Sequence, residues 1–307
     1  MKVLVTGASG LLGRELTREL LSRGHEVVGL HNRNAVPIEH GKLTKVRIDL
    51  TDRVRLEDLI LRVRPDAVIH CAAYTDVDGC ERDRARAWSI NVEATRSVVR
   101  ASRVVKAYLI YVSTDYVFDG TEGLYRETDT PYPINYYGLT KLVGEELVKS
   151  SDLLYTIVRP SAIYGVGGSK KSFAEFVAEK LSRGETVYAL TDQYVSPTLN
   201  TLLAKAIAEI VELRPMGVIH VAGERMSRYE FATRVAKALN LPVDLIKEIS
   251  MEDFMKRWVA RRPRDSSLDT SKAKRLLKTR FHDTGLALEI FKEKWLGKVG
   301  KHAVKER

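Results

Sequence analysis

The chain has 307 residues, of which 44% are hydrophobic and 29% charged, an ordinary globular balance that excludes wholesale disorder. At about 150 residues per domain, this length predicts one large or two modest domains. No run approaches the roughly 18 apolar residues of a membrane span, no signal peptide precedes the first strand-like run, and two cysteines, Cys71 and Cys80, fit a reducing compartment rather than a disulfide framework. We therefore expect a folded, cytoplasmic protein without a membrane partner.

The net charge of +10 is concentrated at the C-terminal end, since residues 251–307 carry +8 of it. A basic segment can bind nucleic acid or an anionic diphosphate substrate. A solvated surface is the more ordinary explanation, so the charge does not predict a nucleic-acid partner. The single glutamine, Gln193, together with abundant arginine and glutamate, is typical of thermophile proteins.

Short β-branched runs alternate with longer amphipathic segments over the first two-thirds of the chain. The predicted strands are Lys2–Thr6, Glu26–Leu30, Lys45–Ile48, Ala67–His70, Ala107–Val112 and Leu154–Arg159. The predicted helices between them are Leu11–Arg23, Asp52–Val63 and Ala85–Ser102, the first of which ends just before Gly24. This alternation predicts an α/β fold, a Rossmann-type doubly wound parallel sheet with helices on both faces.

The rhythm changes after about Gly165. Helices are predicted at Ser172–Arg183, Asn200–Leu213 and Ser227–Leu239, the last with Ser227 and Glu230 as a capping box. A short strand is predicted at Val218–Val221, and the tail from Met251 is mostly helical with a break at Pro263. We predict a dinucleotide-binding domain at 1–165 plus about 198–222, and a smaller, partly interleaved substrate lobe at 166–197 and 223–307.

A glycine-rich turn joins the first predicted strand to the first helix. Gly7, Gly10 and Gly13 are spaced G-x-x-G-x-x-G, and Leu11 and Leu12 open the helix. Glycines allow a tight turn and let the backbone approach a pyrophosphate at the helix N-terminus. Because the motif lies between a strand and a helix of a βαβ unit, it predicts a dinucleotide site.

The end of the second strand bears on which dinucleotide binds. A site for NAD usually has an acidic residue here for the ribose 2′-hydroxyl, whereas this chain has His31, Asn32 and Arg33. A guanidinium suits a 2′-phosphate, so the sequence favours NADP(H) and leaves NAD(H) open. Asp49 and Leu50 are expected beside the adenine, and the small residues Cys71, Ala72 and Ala73 beside the cofactor.

Hydroxyl and amine side chains follow the fifth strand and open the next helix. Thr114 and Asp115 end that strand, and Tyr137 and Lys141 are spaced i, i+4, so they share one helix face. A nearby ammonium would lower the pKa of a tyrosine and suit it to proton transfer. Thr114 could hold a carbonyl oxygen in line with that proton.

These motifs resemble the extended short-chain dehydrogenase/reductase family, over essentially the whole chain. Within it, the dTDP-4-dehydrorhamnose reductase branch is similar in the runs 72–78, 114–120, 192–198, 262–263 and 268–272. The resemblance implies hydride transfer from NAD(P)H to the C4 ketone of a dTDP-linked 4-keto-6-deoxysugar. It implies that Tyr137 donates the proton, Thr114 hydrogen-bonds the oxygen, and Lys141 holds the ribose; Asp115, Tyr74 and Val77 are the implied sugar contacts.

Two positions depart from that branch, and two alternatives follow. Ala162 stands where the reductases commonly have a sugar-packing tryptophan, and Val195 where they usually have glycine. The regulatory β-subunit of methionine adenosyltransferase is also similar and also lacks the tryptophan, which would make the chain a non-catalytic NADP-binding module. Another nucleotide-sugar reductase or epimerase activity is the remaining alternative.

The remaining polar residues give no further site. The seven histidines show no metal-ligand spacing, and His70 is expected as a hydrogen-bonded core residue. Some enzymes of the branch use Mg²⁺ at a dimer contact, so the resemblance allows a homodimer, but no Mg²⁺ ligands are identified in this sequence. Asn91 matches a family position that supports the active site, and the cysteines are expected to be small buried fillers.

Overall fold

A seven-stranded parallel sheet forms the centre of the molecule, with strand order β11-β6-β5-β4-β1-β2-β3. This computed structural model describes residues 1–305. The strands of the central sheet are β1 (Lys2–Thr6), β2 (Glu26–His31), β3 (Leu43–Arg47), β4 (Ala67–His70), β5 (Tyr108–Val112), β6 (Tyr155–Arg159) and β11 (Gly217–His220). The strand order reverses direction beside β1, which confirms the predicted doubly wound fold.

Six shorter strands form three two-stranded sheets outside the central one: β7 pairs with β10 and β8 with β13, both parallel, and β9 with β12, antiparallel. They are β7 (Ser161–Tyr164), β8 (Val187–Leu190), β9 (Tyr194–Val195), β10 (Pro197–Leu199), β12 (Met226–Ser227) and β13 (Ile246–Ile249). Each pair brings together segments that are distant in sequence, so the C-terminal half of the described chain returns repeatedly to the same region.

The helices lie between strands along the chain, except for the last three, which follow the last strand. They are α1 (Leu11–Ser22), α2 (Arg53–Val63), α3 (Val77–Arg82), α4 (Arg84–Trp88), α5 (Ala94–Val105), α6 (Tyr136–Lys149), α7 (Phe173–Ser182), α8 (Asn200–Leu213), α9 (Arg228–Ala238), α10 (Met251–Met255), α11 (Ser271–Leu276) and α12 (Thr284–Lys305). Short 3-10 turns lie at Asp115–Val117 and Val243–Leu245. Among the described residues, no helix is long and apolar enough to cross a membrane.

Apolar side chains fill both faces of the central sheet. Leu16 of α1 belongs to the cluster on one face, together with α8 and α12. Leu56 of α2 and Val98 of α5 belong to the cluster on the other face. Because β1, β4 and β5 are buried on both faces, they read as continuous apolar runs, as parallel strands do.

The predicted strands and helices are present, with ends displaced by one or two residues, except in one place. The single helix predicted over Ala85–Ser102 is interrupted by a π-helical turn, Ser89–Glu93. At the end of this π-helical turn, the side chain of Thr95 donates a hydrogen bond to the carbonyl of Asn91 at 2.7 Å. Insertions of this kind are frequent at functional sites, and nothing in the hydrophobic period reveals them.

The capping predicted for α9 is half formed. Ser227 accepts the backbone N–H of Glu230 at 3.0 Å, but the carboxylate of Glu230 pairs with Arg234 at 2.7 Å. The complete capping box lies instead on α7, where Ser172 and Glu175 bond reciprocally. The division into a dinucleotide-binding domain and a substrate lobe stays a prediction, and residues 306 and 307 of that lobe lie outside the described residues.

Candidate active site

One cavity of about 730 Å³ opens at the carboxyl ends of the central strands, where ligands of open α/β sheets bind. Every site residue that the sequence predicts lines it. The cofactor candidates are Gly7, Gly10, Leu11, Leu12, Gly13, His31, Asn32, Arg33, Asp49, Leu50, Cys71, Ala72, Ala73, Tyr137 and Lys141, and the substrate candidates are Tyr74, Val77, Thr114 and Asp115. Residues from five separate strand ends therefore face one space.

The glycine turn is shaped for close backbone approach. Gly7 has φ +69°, a conformation that side chains disfavour, and a Cβ on Gly13 would lie 2.1 Å from the carbonyl oxygen of Gly7. Helix α1 begins directly after this turn, with no side-chain cap at Gly10 and no acidic residue in its first turn. Its first N–H groups are thus left for an external anion, as a bound pyrophosphate requires.

The segment after β2 carries a cation, Arg33, and the segment after β3 carries a carboxylate beside it, Asp49. Asn32 donates a hydrogen bond to Asp49 at 3.0 Å, while hydrogen bonds from Thr51 lower the pKa of Asp49 below its usual range. Arg33 is exposed, and it forms no ion pair in the part of the chain that the structure describes. Its guanidinium is therefore available to a phosphate at this corner.

The predicted hydroxyl groups meet over the end of β5. Tyr137 and Thr114 are both buried. Burial raises the pKa of Tyr137 well above its usual value, and the neighbouring Thr114 hydroxyl lowers it by less. Thr114 donates to Asp115 at 3.1 Å, and Asp115 also accepts from Ser161 at 2.8 Å and Ser266 at 2.5 Å. Hydroxyl groups therefore supply the hydrogen bonds to this carboxyl. Burial raises the pKa of Asp115 as well.

The ammonium of Lys141 makes its contacts on β5. The i, i+4 spacing predicts that its ammonium lies beside Tyr137 and lowers the pKa of that phenol. Instead, Lys141 donates to the carbonyl of Val112 at 2.8 Å and lies 4.0 Å from the ring centroid of Tyr111. The predicted lowering of that pKa is wrong, because burial raises the pKa of Tyr137. Burial lowers the pKa of Lys141 to about 7.

A buried ion pair supports the site from behind. Glu145 binds Arg159 through two contacts, Nε to Oε1 at 2.8 Å and a terminal nitrogen to Oε2 at 2.6 Å. Glu145 also accepts from Ser113 at 2.6 Å, the residue before Thr114. Its negative charge raises the pKa of Lys141 against the larger effect of burial. The pair thus fixes the end of β5 and favours the ammonium form of Lys141.

The π-helical turn ties one wall of the cavity to α6. Asn91 accepts the N–H of Tyr74 at 2.7 Å and donates to Thr140 at 3.0 Å. His70 is a hydrogen-bonded core residue, as predicted, with Thr6 and Thr95 at 2.7 and 3.0 Å. Asn91 therefore holds the segment that begins at Tyr74 against the helix that carries Tyr137.

The thiols lie near the site without the character of nucleophiles. Cys80 is buried and Cys71 half-buried, and burial raises the pKa of each to about 12. Neutral thiols of this kind are inert. Within the described residues, no group of three or more His, Cys, Asp or Glu side chains is arranged to hold a metal ion.

Several lining residues escape prediction from the sequence. The additional polar ones include Arg86, Lys170, Lys171 and Arg228. Lys170 pairs with Asp76 across the cavity at 3.1 Å. Ala162, which the sequence flags as a departure, lines the cavity with φ +42°, in the left-handed region that alanine disfavours. The only signal for Arg228 was its place beside a helix N-cap, which does not give the direction of a side chain.

Comparison with known proteins gives consistent matches over most of the chain. Residues 1–293 match the family described as the RmlD substrate binding domain. The probable low-salt glycan biosynthesis reductase Agl14 of Haloferax volcanii is 36% identical over 276 residues, 88% of this chain and 90% of that protein. Methionine adenosyltransferase 2 subunit beta of Pongo abelii is 34% identical over 283 residues, 90% of this chain and 82% of that protein.

Solved structures resemble the whole fold. A hypothetical dTDP-4-dehydrorhamnose reductase from Sulfolobus tokodaii has a TM-score of 0.84 and 46% identity, and the match covers 94% of this chain and 99% of that one. The dTDP-4-dehydrorhamnose reductase of Bacillus anthracis in complex with NADP has a TM-score of 0.83 and 31% identity, covering 94% and 98%.

Proposed function

This chain belongs to the RmlD branch of the extended short-chain dehydrogenases/reductases, and on that premise we propose that it reduces the C4 ketone of a dTDP-6-deoxy-4-ketohexose with NADPH, as a dTDP-4-dehydrorhamnose reductase. One observation carries the proposal: a single cavity contains both the dinucleotide turn at Gly7–Gly13 and the group formed by Thr114, Tyr137 and Lys141. Family and neighbours indicate a nucleotide-sugar reductase that uses a nicotinamide cofactor. The particular sugar and the choice of NADP(H) belong to the proposal.

The glycine turn and the end of β2 fit a dinucleotide phosphate. The free N–H groups at Leu11 and Leu12 would hold the pyrophosphate, Arg33 the 2′-phosphate, and Lys141 the ribose next to the nicotinamide. When bound, NADPH supplies the hydride.

The protein's own contribution is a proton and a fixed place for the carbonyl oxygen. Because burial keeps the pKa of Tyr137 high, its hydroxyl stays protonated at neutral pH. It can give that proton to the carbonyl oxygen as negative charge develops there. Thr114, which donates to Asp115 in this structure, would turn its single hydroxyl hydrogen to that oxygen and donate the second hydrogen bond. Such preorganised donors stabilise the developing charge more than water does.

A non-catalytic, regulatory function is the second candidate. The identity with methionine adenosyltransferase 2 subunit beta and the small Ala162 in place of tryptophan favour it. Against it, the catalytic hydroxyls and Lys141 are all present and face the cavity.

Oxidation of NADPH with enzymatically prepared dTDP-4-keto-6-deoxy-L-mannose separates the two candidates. We expect continuous turnover that depends on the sugar. Tight NADPH binding with no turnover on this or other 4-keto sugars would contradict the reductase proposal, and co-purification with a methionine adenosyltransferase would then support the regulatory one.

We also propose that the protein is cytoplasmic and comes from a thermophile. Its dinucleotide-binding domain would comprise residues 1–165 and about 198–222, and its substrate lobe residues 166–197 and 223–307. A homodimer is part of the same proposal, and sedimentation at equilibrium would test that state. No role is proposed for Mg²⁺.

A further inference from the structure

Arg228 lines the cavity as a half-buried cation that forms no ion pair with the residues that the structure describes, whereas Arg33 and Arg86, which also form none among them, are exposed. Lys170 forms an ion pair with Asp76, and Lys171 forms one with Glu179. Lys141 donates a hydrogen bond to the carbonyl of Val112. For Arg228, no ion pair to any carboxylate forms within the residues that the structure describes. Its charge is therefore left for a ligand with a negative group.

The guanidinium is held in one direction by neutral groups. Its Nε donates to the side-chain carbonyl of Gln193 at 3.4 Å, and its carbon lies 5.3 Å from the ring centroid of Phe173. Gln193, the single glutamine of the chain, is buried and is itself fixed by donating to the carbonyl of Pro263 at 3.2 Å. These contacts occupy Nε, and the terminal nitrogens make no hydrogen bond to the described residues.

The position of Arg228 is at the substrate end of the cavity. Its charge acts on Asp115 and Tyr116, where burial raises both pKa values and Arg228 lowers them. Asp115 neighbours Thr114, and the small Ala162 lines the same region. Two terminal N–H groups in a planar fork match two oxygens of a phosphate or a carboxylate.

We propose that Arg228 binds an anionic group of the substrate, through phosphate or carboxylate oxygens, and selects the substrate by that charge. This inference deepens the proposed function, on which it rests for the identity of the cavity as the sugar-nucleotide site. Two sources of the anion are compatible with the geometry: the diphosphate of the nucleotide, or a carboxylate on the hexose.

Calorimetric titration of the NADPH-loaded protein distinguishes these sources. The ligands are thymidine, dTDP, dTDP-glucose and dTDP-glucuronic acid, which add the diphosphate, the sugar and the carboxylate in turn. The variant is Arg228→Met, which keeps the aliphatic length over Phe173 but removes the charge, and Arg228→Lys keeps the charge without the fork. Arg234→Met, on the same helix and paired with Glu230, is the matched control.

We expect Arg228→Met to weaken the binding of an anionic ligand by about tenfold to a hundredfold, the contribution of a charge-assisted hydrogen bond. Arg228→Lys should recover part of the loss, and thymidine binding and the Arg234→Met protein should be unchanged. An equal loss for dTDP and both sugar nucleotides identifies the diphosphate, and a loss confined to dTDP-glucuronic acid identifies a sugar carboxylate.

Affinities of Arg228→Met within threefold of wild type for all four ligands would overturn the proposal, as would a wild-type protein that binds none of the three phosphate-containing ligands. Failure of the proposed function is a different result, namely intact binding of these ligands without any reduction of a 4-keto sugar.

Discussion

Replacing Glu145 by glutamine tests the buried pair behind the active site. The side chains of Glu145 and Arg159 are 0% and 1% exposed and share two short hydrogen bonds. Glutamine keeps the shape but leaves the charge of Arg159 buried without compensation. Removing one partner of a buried pair costs about 3–5 kcal/mol, and because the amide can still accept one of the two hydrogen bonds, we expect a loss near the lower end, about 3 kcal/mol.

Urea unfolding of matched variants measures that loss. Glu146→Gln is the control, since Glu146 is the next residue of the same helix, its side chain is 61% exposed, and it pairs with Lys149. An exposed pair of this kind contributes at most about 1 kcal/mol. A free energy of unfolding that falls no further in Glu145→Gln than in Glu146→Gln would refute the account of the pair as a support for the site.

Three other changes have defined outcomes. Gly13→Ala should weaken the binding of NADPH more than tenfold, because its Cβ would lie 2.1 Å from a backbone oxygen. Gly297→Ala, in open space on α12, should leave NADPH binding unchanged, and equal effects of the two substitutions in titrations would contradict this. Arg33→Ala should weaken NADPH far more than NADH, and an equal loss in fluorescence titrations would argue against a 2′-phosphate contact. Burial lowers the pKa of His220 to about 3, so the unfolded chain takes up a proton below about pH 6.5 that the folded chain does not. The stability that neutral His220 contributes is therefore lost as pH falls from 6.5 towards 3. Between pH 6 and 5, wild type should lose about 1.2 kcal/mol more than His220→Gln in urea unfolding, and parallel curves would contradict the assignment.

Local sequence patterns were sufficient to predict the parts of the site that the main chain forms. The turn at Gly7–Gly13 is recognisable because three glycines at fixed spacing join a strand to a helix, and steric limits on the backbone make their conformation a local property. Likewise, Thr114 and Tyr137 follow directly from the ends of predicted elements. The carboxyl ends of parallel strands meet at one edge, so the cavity itself could be predicted.

Side-chain directions depended on partners that are remote in sequence. Lys141 turns to the carbonyl of Val112, 29 positions away, and its spacing from Tyr137 carries no information about that partner. Arg228 reaches the cavity because β12 pairs with β9 and places it beside Gln193. The π-helical turn at Ser89–Glu93 also follows from tertiary contacts, through Asn91 and Thr140, since hydrophobic periodicity alone reads as one continuous helix.

The turnover of wild type and Tyr137→Phe at saturating NADPH, with dTDP-4-keto-6-deoxy-L-mannose as substrate, tests the central claim most directly. Loss of a general acid lowers turnover by about 10²–10⁴, and because Tyr137→Phe removes only a hydroxyl, its affinity for NADPH should match that of wild type. This result is what the proposed reductase predicts. Equal turnover in the two proteins, or no turnover in wild type, would contradict it.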